Sequence, residues 1–482
     1  MTARTDPLPY LSTRDRRQPP ERIPFDAVLR DGLAHDGGLY LPAEWPRLSV
    51  ADLTALRGKP YAEIALRVTT PFLDGIVAPR QWEAMIDAAY ADFDDPDIAP
   101  LKSLGDGFWL EELFHGPTLA FKDYALQLVG KLFEHVLEQR RARVTIIGAT
   151  SGDTGSAAIA GCSGAALVDI FMLYPKGRIS EVQRRQMTTV AAENVHAIAI
   201  DGTFDDCQDL VKAMFADVPF RRDLNLSAVN SINWARIMAQ IVYYVAAAVA
   251  LGAPERNIGF AVPTGNFGNV FACHVARRMG VPISEIVIAT NRNDILTRFF
   301  ETGRMTMGTV EASLSPSMDI QVASNFERFY FELKHGDAGA AAEGVAAFRK
   351  TGTLPVTETE WKIARDAFTA ARVDDDGTLA EIKSTHTATG IVLDPHSAIA
   401  VAAAKAKRRD RDLPMVALAT AHPAKFPDAV KRAIGAPPAV PERLANVMRL
   451  PERAPALPNS LTAVEDYVRA YARAAQTAGA VS

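Results

Sequence analysis

The sequence predicts an α/β protein built on parallel sheets behind a helical N-terminal region, and three observations carry that prediction. From residue 143 onward, short apolar runs alternate with stretches whose apolar residues recur every three to four positions. Strands that are each followed by a covering helix leave this pattern, and they form sheets buried on both faces. The junctions between the two kinds of segment are rich in Gly, Ser, Thr and Asn, which turn the backbone and leave amide donors free. Finally, 482 residues exceed what one compact core accommodates, so two or three domains are expected.

In order along the chain, "SVADLTAL", "KPYAEIALRVTTPFL" and "PRQWEAMIDAAYADF" carry the helical spacing within the first hundred residues. Pro and Gly punctuate "FDDPDIAPLKSLGDGFWLEELFHGPT", which contains a short strand-like "FWLEEL". "RVTIIGAT" reads as a buried strand, "SGDTGSAAIAGCS" as a turn entering a helix, "ALVDIFMLYP" as a strand and "ISEVQRRQMTTV" as a helix. "NVHAIAIDG", "FDDCQDLVKAMFAD" and "LNLSAVNS" repeat the alternation, followed by "NIGFAVPTGNFGNVFACHVARRMG" and "SEIVIATNRNDILTRFF". "MVALATAHPAKFPDAVKRAI" closes the series, and a Pro-rich stretch leads to one last amphipathic helix. The expected division is 1–100 for the helical region, 101–236 and 237–450 for two α/β domains, and 451–482 for a C-terminal tail and helix.

Hydrophobic residues make up 48% and charged residues 23%, with net charge -5, the balance of an ordinary globular protein. That charge offers no broad attraction to nucleic acid or an anionic membrane, so anionic ligands require local sites. Cys162, Cys207 and Cys273 lie far apart, which argues against a disulfide framework, and no CxxC pair points to a metal site. The start "MTARTDPLPYLSTRDRRQPPER" has no apolar core of a secretory signal, so a cytoplasmic location is expected. Residues 237–253, "IMAQIVYYVAAAVALGA", are short for a membrane span and contain Gln240, which predicts a buried helix.

Four places carry chemistry. In "HGPTLAFKDYALQLVG", Lys122 follows Leu119, Ala120 and Phe121 and precedes a helical apolar pattern. A lysine taken out of water gives up its proton readily, and its amine is then a nucleophile toward carbonyl groups. "AVPTGNFGNVFAC" places Gly265, Asn266, Phe267, Gly268 and Asn269 between a strand and a helix start. Glycines there let amides approach an anion, and the helix terminus adds a favourable dipole. In "IIGATSGDTGSAAIA", Ser151, Thr154 and Ser156 supply hydroxyls, Gly152 opens the backbone and Asp153 adds an acid, a loop suited to a carboxylate or phosphate. In "LATAHPAKF", Thr420 ends a buried strand, with His422 and Lys425 beyond it. A lysine for a covalent bond to a carbonyl, a phosphate nest and a carboxylate loop are together what a pyridoxal phosphate enzyme of amino-acid metabolism requires.

The segments "HGPTLAFKDYALQ", "GATSGDTGSAA", "NSINWARIMAQ", "PTGNFGN" and "LATAHPAKFPDAV" closely resemble threonine synthases of the bacterial and fungal type. They occur in that family's order over roughly residues 10–430. "YLSTRD" resembles the family's Y-x-S-T-R-G, with Asp15 where glycine is usual, and "SPSMDIQVASNFER" (residues 315–328) also matches, without a chemical role that its spacing reveals. The resemblance implies the tryptophan synthase β fold (fold type II of pyridoxal phosphate enzymes), two α/β domains and a cofactor between them. It implies Lys122 as the covalent anchor and proton carrier, residues 265–269 as the phosphate nest and Thr420 as the partner of the pyridine nitrogen.

The implied reaction turns O-phospho-L-homoserine and water into L-threonine and phosphate, so the substrate itself needs two anion sites. Ser151, Gly152, Asp153 and Thr154 are expected at one end of it, with Asp153 orienting hydroxyls. Arg236 is the candidate for the phosphate, because a guanidinium fork matches phosphate oxygens; otherwise it is a salt-bridge residue on a helix start. Asn230 and Asn233 are secondary candidates, and Lys425 either balances charge near the ring or is a solvent lysine. The competing readings are a phospholyase giving 2-oxobutyrate, a dehydratase of the same fold, and a silent binding or regulatory protein. A small-molecule substrate, a monomer or homodimer, and neither nucleic acid nor membrane complete the expectation.

Overall fold

The computed structural model describes residues 7–473 except Asp74 and Val229. Its strands, in chain order, begin with β1 (Tyr10–Ser12), β2 (Tyr40–Pro42), β3 (Leu101–Gly105), β4 (Phe108–Glu112) and β5 (Val144–Ala149). They continue with β6 (Val168–Pro175), β7 (Val195–Asp201), β8 (Leu226–Ser227), β9 (Ile258–Pro263) and β10 (Ile283–Thr290). The last are β11 (Met305–Thr306), β12 (Thr353–Leu354), β13 (Thr369–Arg372), β14 (Met415–Ala419) and β15 (Ala456–Pro458). Packing divides the chain into two units. One takes the stretch up to Val28, Leu33–Phe121 and Ser231–Ala439; the other takes Leu29–Gly32, Lys122–Asn230 and the stretch from Val440.

The first unit holds a six-stranded sheet in the order β13-β10-β9-β14-β4-β3. All its pairings are parallel except the hairpin β3–β4, which turns through Asp106 in the left-handed region at φ 51°. From β9 the chain progresses through β10 to β13 at one edge, whereas β14 lies on the opposite side of β9. The strand order therefore reverses between β9 and β14, and the crevice beyond the carboxyl ends of such a switch point is where open α/β sheets bind ligands. β9 and β14 are buried at every residue because helices cover both faces. On one face the helix Pro395–Lys407 inserts Ile399, Ala403 and Ala404 against Ala261, Val287, Ala289 and Met415.

The helix Trp234–Ala250 is apolar nearly all round and buried over almost its whole length, which is how a core helix differs from an amphipathic surface one. Its first residue, Trp234, anchors the N-terminal region: the rings of Tyr10, Trp45 and Phe72 lie 6.2, 5.9 and 5.8 Å from it. Among the described residues no helix is long and apolar enough to cross a membrane.

The second unit holds a wholly parallel sheet in the order β15-β7-β6-β5-β8. It too has a reversal, since β6 and β7 follow β5 to one side and β8 returns on the other. The C-terminal segment is part of this unit's core. β15 extends the edge beyond β7, and the helix Leu461–Tyr471 buries Val464 and Val468 among Ile147, Phe171, Leu173 and Cys207.

The strands read from the sequence are present, and the short ones β1, β2, β3, β11, β12, β13 and β15 are additions, because two to five residues carry too little periodicity to be seen. The contiguous division at 100, 236 and 450 does not coincide with the packing units. β4 precedes the Lys122 helix in sequence yet joins β14, and residues 456–473 return to the sheet of β5–β8.

Candidate functional site

In the second unit Lys122 is the first residue of the helix Lys122–Arg140, and its side chain is only about 10% exposed. Leu119 and Ala120 before it and Tyr124 after it are likewise buried. Lys122 Nζ lies 3.7 Å from Asp153 Oδ2. The chain reaches Lys122 through Phe121, whose N–H donates to Thr420 O at 2.9 Å, while Leu119 takes φ 59° and its carbonyl accepts from His422 N–H at 3.0 Å.

Beyond the end of β5, Gly152 adopts φ 149° and ψ -104°, a conformation open to glycine, and a Cβ there would fall 2.4 Å from the Gln183 side chain. Thr150 Oγ1 accepts from the N–H groups of Gly152 (3.0 Å) and Gly155 (2.9 Å), which shapes the loop. Ser151 stands exposed at its tip, Thr154 is half-buried, and Asp153 is buried at the start of the helix Asp153–Cys162. Asp153 Oδ1 accepts from Gln183 Nε2 at 2.9 Å, so its carboxylate is engaged by Gln183 and faces the Lys122 ammonium. Thr150 lies within the loop motif itself, whereas Gln183 had no signal in the sequence beyond its polarity, and its position next to the loop is a product of folding.

In the first unit the loop 265–269 follows β9, at the reversal of strand order, and Thr420 follows the neighbouring β14. Phe267 caps the helix Gly268–Arg278 with φ 69°, a left-handed conformation that a bulky residue holds only under strain. Its ring is fully buried against Phe271, Phe326, Phe329 and Phe368, so only its backbone can meet a ligand. Asn266 Oδ1 accepts from Gly268 N–H at 3.1 Å. Asn269 Oδ1 accepts from the hydroxyls of both Tyr243 and Tyr244, whereas its Nδ2 is buried without a partner among the described residues. Gly265 has no room for a side chain: a Cβ would meet Ser317 O at 2.9 Å and Met318 Cα at 3.2 Å. A glycine-lined cradle at a helix N-terminus with a spare buried amide donor fits a cofactor phosphate.

Arg236 sits in the first turn of the helix Trp234–Ala250, 3% exposed, with Nε and Nη1 buried and lacking partners among the described residues. It is not the surface salt-bridge residue that was its alternative reading. Burial lowers its pKa to about 10, against a smaller opposing effect from Tyr243. Asn233 Oδ1 accepts from Ala235 N–H at 3.0 Å and so caps that helix, and Asn230 is half-buried at the last position before this unit resumes. Lys425 is not a solvent lysine either: it is 1% exposed and its Nζ donates to Thr118 O at 2.7 Å, bracing the "HGPT" segment. Asp15 does not strain its turn in glycine's usual place, for it is not among the residues of positive φ. Its carboxylate accepts from the Arg17 and Glu21 N–H groups and from the Arg17 guanidinium.

Known proteins resemble this chain along most of its length. The family described as pyridoxal-phosphate dependent enzyme matches residues 97–420, and the threonine synthase N terminus and C-terminal families match residues 9–90 and 397–468. The threonine synthase of Pseudomonas aeruginosa is 52% identical, over 95% of this chain and 97% of its own. A pyridoxal phosphate-bound threonine synthase from Brucella melitensis superposes with a TM-score of 0.94 at 50% identity, covering 97% of this chain and 100% of its own. The yeast threonine synthase structure superposes at 0.91 with 37% identity, covering 96% and 98%. The chain therefore belongs to the threonine synthase family of pyridoxal phosphate-dependent enzymes, with its type II fold.

Proposed function

We propose that this chain converts O-phospho-L-homoserine and water to L-threonine and phosphate. The observation that carries the proposal is the likeness to threonine synthases over 95% of the chain in sequence and 97% in structure. Bound pyridoxal phosphate supplies the electron sink. Lys122 Nζ would hold the cofactor covalently and, as a free amine, would take the α-proton and then a β-proton of the substrate, whose C–H electron pair lets the γ-phosphate leave, and would return protons to the γ- and α-carbons. The amides of residues 265–269 and the Asn269 Nδ2 donor would hold the cofactor phosphate, and the Thr420 hydroxyl would partner the pyridine nitrogen. Ser151, Gly152, Asp153 and Thr154 line the place for one end of the substrate. The Arg236 guanidinium receives the phosphate that leaves the γ-carbon, and stabilises its charge as it departs. Water adds its oxygen at the β-carbon, and the γ-carbon gains a proton to become the methyl group of threonine. A cytoplasmic monomer or homodimer completes the proposal; the three free, buried cysteines suit a reducing compartment. Light scattering on the purified protein reads the oligomeric state.

The test is product analysis from O-phospho-L-homoserine. Threonine and phosphate in equal amounts are expected, and Lys122→Ala is expected to lose both the absorption band of the covalently held cofactor and the product. Formation of 2-oxobutyrate and ammonia instead of threonine overturns the assignment in favour of a phospholyase.

A further inference from the structure

Residues 315–328 match the family without a chemical role legible in their spacing, and in the structure they back the loop 265–269 along its length. Ser317 O and Met318 Cα close the space at Gly265. Asn325 N–H donates to Asn266 O at 3.0 Å, and Asn325 Nδ2 reaches Asn266 Oδ1 at 3.4 Å, the oxygen that also accepts from Gly268 N–H. Phe326 and Phe329 pack on the Phe267 ring with centroids 5.0 and 6.1 Å away.

Behind Asn325 stands Arg328, fully buried. Its guanidinium serves three chain segments at once: Nη1 donates to Asn325 Oδ1, Nε to Tyr40 O at 2.8 Å and Nη2 to Ile232 O at 2.6 Å. Asn325 Nδ2 also donates to Ser231 O at 3.1 Å. Ser231 and Ile232 lead directly into the helix whose first turn carries Arg236. The next residue back, Glu327, is tied to the N-terminal "STR" motif, accepting from Thr13 Oγ1 at 2.6 Å and from Arg14 Nε and Nη2 at 2.7 and 2.6 Å. A planar fork can satisfy three acceptors in different directions; a single ammonium on a flexible stem cannot hold the same frame.

The geometry points to Arg328 as a positioning residue that, through Asn325, locks the loop 265–269 to the 231–236 segment, so that cofactor phosphate and substrate phosphate are held in one frame. The inference rests on the roles proposed above for that loop and for Arg236. A buried network of this kind is stiff because each member left without its partner keeps the full cost of desolvation.

The experiment compares four variants of the full-length holoenzyme: Asn325→Ala, Arg328→Lys, Gly265→Val and Arg236→Ala. Its readouts are the dissociation constant of pyridoxal phosphate, the phosphorus-31 resonance of the bound cofactor, and KM and kcat for O-phospho-L-homoserine. Asn325→Ala is expected to weaken cofactor binding about tenfold, to broaden or shift the resonance and to raise KM, since one change disturbs both anion sites. Arg328→Lys is expected to do the same, and should it fail to fold, Asn325→Ala decides. Arg236→Ala is expected to raise KM while leaving cofactor affinity and resonance untouched. Wild-type cofactor affinity and an unshifted resonance in Asn325→Ala overturn the inference. Gly265→Val separates that result from failure of the underlying reading: if it too binds the cofactor normally, the loop does not hold the phosphate at all.

Discussion

Arg236 shows how a single residue's surroundings define its chemistry. A guanidinium 3% exposed with two nitrogens lacking partners is costly to fold unless an anion repays the cost. Arg236→Ala is therefore expected to lose nearly all turnover of O-phospho-L-homoserine while gaining thermal stability or losing none, and Arg236→Lys to keep part of the activity, as steady-state kinetics and melting curves would show. Unchanged kinetics in Arg236→Ala would place the substrate phosphate elsewhere. His115 offers a second test at this scale. Burial lowers its pKa, but hydrogen bonds with Glu112 Oε2 (3.1 Å) and Asp94 Oδ1 (2.7 Å) outweigh burial and raise it above the ordinary value. The folded chain thus binds a proton more tightly than the unfolded chain, whose imidazole titrates near about 6.5. The contribution is complete below that pH and is lost as pH rises through the raised value. His115→Gln is expected to flatten the fall of melting temperature across this window; an unchanged slope would show that another group sets it.

At the scale of elements, the loop between β9 and the helix Gly268–Arg278 is held by close backbone packing. Gly265→Val would drive a branched side chain into Ser317 O and the Met318 backbone, which belong to the segment 315–328 behind the loop. The loop must shift, and the expected loss is about 1–3 kcal/mol of cofactor affinity, the scale of strain at special backbone sites. Equilibrium titration of the cofactor measures it; an unchanged affinity with a collapsed substrate affinity would exchange the two phosphate assignments. The sequence announced this loop clearly, because Gly and Asn between an apolar strand and a helix are local signals. It did not announce Asn325 and Arg328, whose partners lie 59 and 288 residues away at Asn266 and Tyr40.

At the scale of the molecule, each packing unit is assembled from separated stretches of chain. The sheet of β5–β8 shares its core with the C-terminal helix, where Val464 and Val468 are fully buried. Each such side chain left exposed forfeits roughly 1.5–3 kcal/mol, a large part of a domain's net stability. A fragment of residues 122–230 is therefore expected to lack a cooperative melt, and one in which residues 440–473 are joined to it by a flexible linker to regain it, as calorimetry would show. Cooperative unfolding of the shorter fragment would mean that the C-terminal segment is dispensable.

By itself the sequence determined the α/β class, the order of the main strands and helices, and the motifs around Lys122, Gly152, Gly265 and Thr420. Each is written in a period or in turn chemistry spanning fewer than about twenty residues, which the chain cannot express in another way. Tertiary structure alone decided that Nε and Nη1 of Arg236 are buried without a partner among the described residues, that Lys425 braces Thr118 from the interior, and that residues 315–328 stand behind the loop 265–269. It also decided that the last strand and helix complete the sheet of β5. Burial and partnership depend on which distant segments pack together, and that choice is made by the whole apolar surface and not by any window of the chain.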